Sequence, residues 1–187
     1  MEHFRTGRQK ADEILAMEGH VDDMQSAITI YTSRLFEQDM ERRLSLRVPV
    51  LLHTINDLER VSDQAVNMLE ARGRLGQKQD GVGQELRRSA EKAIELVSAM
   101  MDDTVLSLEK RDRTRAEAVI TAEGKLNALD AAARDQYTLG LCTPSRDQGL
   151  GGLATLDFVN YCEKVGDHLT NIAQSVLGGG IWHGEEE

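Results

Sequence analysis

The sequence predicts an all-α protein, five long helices arranged as a duplicated helical bundle. Three observations lead there. Pro occurs only twice in 187 residues, aromatics make up 4% and charged residues 29%, and long Ala/Leu/Glu/Arg stretches favour helix over sheet. Apolar residues recur at alternating spacings of three and four, the seam of helices packed side by side. A short acidic pattern appears once in each half of the chain, and internal duplication is a strong architectural sign.

The first helix is expected over 8–37, with the seam Ile14, Met17, Val21, Met24, Ile28, Tyr31 and Leu35. The second, over 45–72, carries Val48, Leu51, Ile55, Leu58, Ser62, Ala65 and Leu69; Ser45 is read as its N-cap and Pro49 is tolerated near its first turn. Gly73, Gly76, Gly81 and Gly83 mark a linker over 73–83. The third and fourth helices are expected over 84–109 and 112–140. A loop from Cys142 to Gly152, with Pro144, Gly149, Gly151 and Gly152, precedes a fifth helix over 153–177 that stops at Gly178-Gly179-Gly180. The tail, with the single Trp182, reads as a frayed end. The expected division is a first repeat over 1–76, a second over 77–178 and a flexible tail over 179–187.

The formal net charge of −10 argues against nucleic acid, which rewards clustered Lys and Arg. The local basic groups (Arg42, Arg43, Arg47; Arg111, Arg113, Arg115) are interleaved with acids and read as solvated faces. Cys142 and Cys162 form neither a zinc spacing nor a disulfide framework, which fits reduced thiols in a cytosolic compartment. No signal peptide is visible, and no apolar run approaches the roughly 20 residues that cross a bilayer. Membrane association is therefore expected only through a partner or through a segment outside this chain.

The duplicated pattern carries the chemistry. Glu59-Arg60-Val61-Ser62-Asp63 is followed by Asn67, and Glu163-Lys164-Val165-Gly166-Asp167 by Asn171. Positions four apart share one helix face, and two like charges there destabilise a helix by roughly 0.2–0.5 kcal/mol. Repetition of that cost suggests an offsetting cation. Glu18 and Asp22 stand four apart in the first helix, and Glu123 and Asn127 do so in the fourth. All four pairs take the same heptad positions, just off the buried stripe, so antiparallel packing can bring two pairs to one groove in each half. Gly166 and Ser62, each directly before the motif Asp, are small enough to let a neighbouring helix approach, or are ordinary small-residue packing. Asn67 and Asn171 either orient a carboxylate, ligate, or face solvent; Glu70 extends the first acidic face. Arg60 and Lys164 either neutralise the cluster or form exposed ion pairs. His20, His53 and His168 read as surface groups.

Oxygen donors without thiols suit Mg, Ca, Mn or iron, and accept Zn less specifically. No catalytic triad or phosphate-binding Gly loop is visible. No His has a Glu three residues before it, as di-iron carboxylate bundles require. A metal-dependent hydrolase would need an open coordination position and a base, and neither is identified; the chain is expected not to be an enzyme.

Ile55–Asp63 and Cys162–Ala173 resemble the PhoU family signature, Leu-Glu-Arg-Ile-Gly-Asp-His-Ala-x-Asn-Ile-Ala, which occurs once per three-helix bundle. Val48–Asp57 is similar to the cytoplasmic PhoU-like region at the C-terminus of bacterial Na/Pi-cotransporter family proteins. The resemblance implies tandem antiparallel three-helix bundles, the first lacking its first helix. It implies a cytoplasmic regulatory domain in phosphate transport or phosphate homeostasis, at the inner face of the membrane through a transporter. The partner would be a membrane phosphate transporter domain or a phosphate-signalling protein. It also implies iron or zinc clusters held by Glu18, Asp22, Glu59 and Asp63 in the first half, and by Glu123, Asn127, Glu163 and Asp167 in the second. Ser62 and Gln64 depart from the signature's Gly and His. Asn127 replaces an acid, which leaves the second site one charge short. The absent helix leaves a seam that a second copy can fill, which favours a homodimer. The alternative is a structural helical scaffold with no functional metal site.

Overall fold

The structure is a computed structural model that describes residues 2–36, 42–75, 83–142 and 149–178. Five helices account for nearly all of them: α1 (Glu2–Phe36), α2 (Arg42–Leu75), α3 (Gln84–Lys110), α4 (Arg113–Leu141) and α5 (Gly149–Leu177). The all-helical class and the five elements agree with the sequence expectation.

Several ends differ from it, each for a local reason. Ser45 is not an N-cap: α2 already begins at Arg42, and the Ser45 hydroxyl donates back to the Arg42 carbonyl at 2.7 Å. Pro49 consequently lies inside α2, where its missing N–H leaves the carbonyl four residues earlier without its helical partner; the ring is exposed, so water can serve that group. α2 also continues through Gly73 to Leu75. At the other loop, α5 starts at Gly149 and takes in Gly151 and Gly152, both buried, with the Thr155 hydroxyl donating to the Gly151 carbonyl at 2.8 Å. Close packing of this central helix outweighs the roughly 1 kcal/mol that each mid-helix Gly costs. Gly76, Gly81, Pro144 and Trp182 lie outside the described residues.

The α3–α4 junction is tight. Arg111 adopts a left-handed conformation (φ 55°) that closes α3 on the Ser107 carbonyl. Asp112 then caps α4, its Oδ1 accepting from the backbone N–H groups of Thr114 at 3.0 Å and Arg115 at 3.2 Å. At the far end Arg113 donates to the Leu177 carbonyl at 2.8 Å, tying the start of α4 to the end of α5.

α5 is the hub and packs on α2, α3 and α4. Leu86, Met100, Leu126, Val159, Leu169 and Ile172 are the largest apolar side chains it helps to seal from water. The α2–α5 contact is the most extensive in the molecule and joins the two sequence repeats. The Arg74–Asp157 ion pair at 3.1 Å and a His168–Asp57 bond at 2.8 Å lie along it.

α1 is different. Among the described residues it packs on α2 alone. Its predicted seam is therefore only half used: Ile14, Val21, Ile28 and Leu35 are partly buried, whereas Met17, Met24 and Tyr31 are 66%, 57% and 64% exposed. The corresponding face of α2 behaves alike, with Leu51 and Leu58 exposed between the buried Val48 and the half-buried Ile55. In the second half α3 supplies a third helix, and its whole seam from Leu86 through Ala93, Val97, Met100 and Thr104 is buried. Among the described residues no helix is long and apolar enough to cross a membrane.

Candidate metal centre

The antiparallel α1–α2 pair brings three of the first-half carboxylates together. Glu18 and Asp22 of α1 and Asp63 of α2 each offer an oxygen within 4.8 Å of the others. Glu59 lies one turn before Asp63. Burial pushes its carboxyl above the ordinary range, Asp63 and Asp22 push further, and Arg60 and His168 oppose them. Arg60 stands 3.6 Å from both Glu59 and Asp63 on the solvent side. One oxygen of Asp22, Oδ1, is sealed from solvent and has no hydrogen-bond partner. A buried carboxylate oxygen without a partner is costly unless something cationic or a proton meets it.

The second half repeats the arrangement with a change of residue. Burial raises the Asp167 carboxyl, and Glu123 across the α4–α5 groove raises it further, against His168. Glu163 is raised by burial, then by Asp167 and Asp130, with Arg134 and Lys164 opposing. Asn127 is exposed, and its amide donates to Glu123 Oε1 at 2.6 Å along its own helix. The acid that faces Glu163 is Asp130, which the spacing-of-four search passes over. It is only 8% exposed; its Oδ2 accepts from Arg134 Nε at 2.7 Å, and its Oδ1 is sealed and unpartnered. A signal was present in the sequence. Asp130 occupies the apolar seam of α4, in line with Ala116, Val119, Leu126 and Ala133, where a carboxylate is out of place.

Gly166 has a definite job. A Cβ there would lie 2.5 Å from Leu126 Cδ2 and 3.5 Å from Met100 Cε, so its missing side chain lets α4 close onto α5 beside Asp167. Ser62 turns its hydroxyl to the Glu59 carbonyl at 2.7 Å. Asn67 donates to Gln64 at 3.2 Å. Asn171 does orient a carboxylate, though not one of the predicted set: it donates to Asp57 Oδ1 at 3.3 Å, beside the His168 contact. His168 is thus a link between helices and not a plain surface group, while His20, His53 and Glu70 are exposed. Lys164 holds its ammonium 5.7 Å from the centre of the Tyr161 ring. Cys162 is buried, and burial pushes its thiol up to about 12, which keeps it protonated and a poor metal ligand.

Clustered, partly buried carboxylates on paired helices make a binding device for protons or hard cations, built into a helical bundle. The sequence matches the PhoU domain over residues 1–71 and 90–176, so the chain belongs to the PhoU domain family. That family is non-catalytic and regulatory, linked to the control of phosphate transport, and this chain is not an enzyme. PhoU domains can bind metal, and PhoU proteins are cytoplasmic. A search of curated proteins gives no match.

Proposed function

We propose that this PhoU domain is a cytoplasmic, metal-loaded regulator of phosphate transport. Glu18 and Asp22 of α1 and Glu59 and Asp63 of α2 hold a hard cation between them, and binding ties the two helices into one surface for a transport partner. The observation that carries this reading is the convergence of Glu18, Asp22 and Asp63 within 4.8 Å, with the inward Asp22 oxygen lacking any other partner. All donors are oxygens, which suits iron, Mg, Mn or Ca, with Zn less specifically held. In the second half Glu123, Asp130, Glu163 and Asp167 form the corresponding set, with Arg134 already supplying one positive charge. The two repeats, 1–76 and 77–178, would then each carry one site. The similarity of Val48–Asp57 to Na/Pi-cotransporter family proteins supports a membrane phosphate transporter as the partner.

Metal analysis after gentle purification, paired with melting in chelator, tests this. Bound metal and a chelator-sensitive melting temperature, both lost when Glu59 and Asp63 are replaced by Ala, support it. The arginines favour one rival. Arg60 and Arg134 each span acidic groups, so a scaffold neutralised by its own side chains would contain no metal, and the double variant would melt as the parent does in chelator.

A further inference from the structure

The exposed half of the α1 seam is not used by the acidic site. Met17, Met24 and Tyr31 stand seven residues apart and are all more than half exposed. The same stripe begins at Glu13 and ends at Arg34, both exposed and without an ion-pair partner among the described residues. Leu51 and Leu58 of α2 border the groove with 39% and 36% exposure. We propose that this stripe is the docking surface for a second copy of the chain, α1 lying antiparallel to its mate about a two-fold axis beside Met24. The two copies of α1 and α2 then form one four-helix bundle.

Charge decides between occupants and orientations. An acid at one end and a base at the other make the stripe self-complementary only when inverted. Antiparallel pairing centred on Met24 sets Glu13 against Arg34 of the second copy at both ends, and Met17 against Tyr31 of the second copy between them. Parallel pairing would set Glu13 on Glu13. The stripe spans three heptads, about 30 Å of helix, and an isologous contact of this kind closes on itself without leaving a further free surface. The second half of the molecule has the same demand met internally, because α3 lies against α4 and α5 and buries its full seam. The α1–α2 pair lacks that third helix among the described residues.

Sedimentation equilibrium of the full chain in chelator, from micromolar to near-millimolar concentration, tests this apart from any metal. The expected mass is twice the 20.8 kDa of one chain. Met24→Lys places two like charges beside the axis and is expected to weaken the dimer by about a hundredfold or more. Glu13→Arg and Arg34→Glu are each expected to weaken it by up to about tenfold, counting two pairs per dimer. The double reversal restores the parent affinity. All three residues are exposed in the single chain, so helicity by circular dichroism stays at the parent value. A chain that remains monomeric throughout overturns the proposal, as does a dimer indifferent to Met24→Lys. A double reversal weaker than either single change also overturns it and points to another occupant of the groove.

Discussion

Replacing helix-interior glycines by Ala should give opposite signs at different sites, and the structure says which. At Gly166 the new Cβ would lie 2.5 Å from Leu126 Cδ2, against about 3.5–4.0 Å for an ordinary carbon contact. Leu126 is fully buried, so it or the whole of α4 must yield by about 1 Å. Overpacking of this kind costs about 1–3 kcal/mol. Ala regains about 1 kcal/mol of helix propensity over Gly. The net expectation is a loss of about 1 kcal/mol, or about 2–4 °C in Tm for a chain of this size. At Gly19 and Gly124, where nothing lies within 4 Å of the added Cβ, only the propensity gain remains, about 0.5–1 kcal/mol each. Urea unfolding in chelator, followed by far-UV circular dichroism, measures all three. Gly166→Ala stabilising the chain as much as Gly19→Ala would refute the claim that α4 and α5 touch through this gap.

Arg134→Ala strips the buried Asp130 of its only hydrogen-bond donor and should cost about 1–3 kcal/mol, with Arg134→Lys recovering part of it in the same unfolding assay. His168→Ala removes one of two donors to Asp57 across the α2–α5 contact and should cost about 1 kcal/mol. The metal-free chain should also respond to acid in a definite direction. Glu59, Glu163 and Asp167 all hold folded pKa values above the ordinary carboxylate range, so in that window the folded chain binds more protons than the unfolded one. Their contribution to stability therefore grows as pH falls through the raised values toward the ordinary ones, and is lost as pH rises back through them. Melting in chelator across this window should show a larger acid-side gain for the parent than for a variant with Glu59→Gln, Glu163→Gln and Asp167→Asn; equal profiles would contradict the assignment.

Much of the fold was legible because heptad spacing is a long, repeated signal. The five helices follow from it, and so does the facing of Glu18 and Asp22 toward Asp63, since antiparallel neighbours with matched registers must meet. Local signals failed where burial overruled them. Gly149, Gly151 and Gly152 read as a loop, yet packing around α5 holds them helical, and Ser45 looks like a cap although the helix starts a turn earlier. Asp130 was missed because it stands seven residues after Glu123, two full turns along the same face, outside a search at four. His168 read as a surface group because nothing near it in sequence announces Asp57. Periodicity also marked Met17, Met24 and Tyr31 as seam residues without telling whether a third helix covers them, and within the described chain none does.

The account rests on a cation held between α1 and α2. Isothermal titration of iron, Mn, Mg, Ca and Zn into metal-free protein, repeated on Asp22→Asn and Asp63→Asn, tests it most directly. At least one of these ions should bind the parent and, at about a hundredfold over its Kd, stabilise the fold by about 2.7 kcal/mol; binding should fall by about tenfold or more in each variant. Titrations that show no heat and no shift in melting for any of the five ions, or equal binding by the parent and both variants, would contradict it.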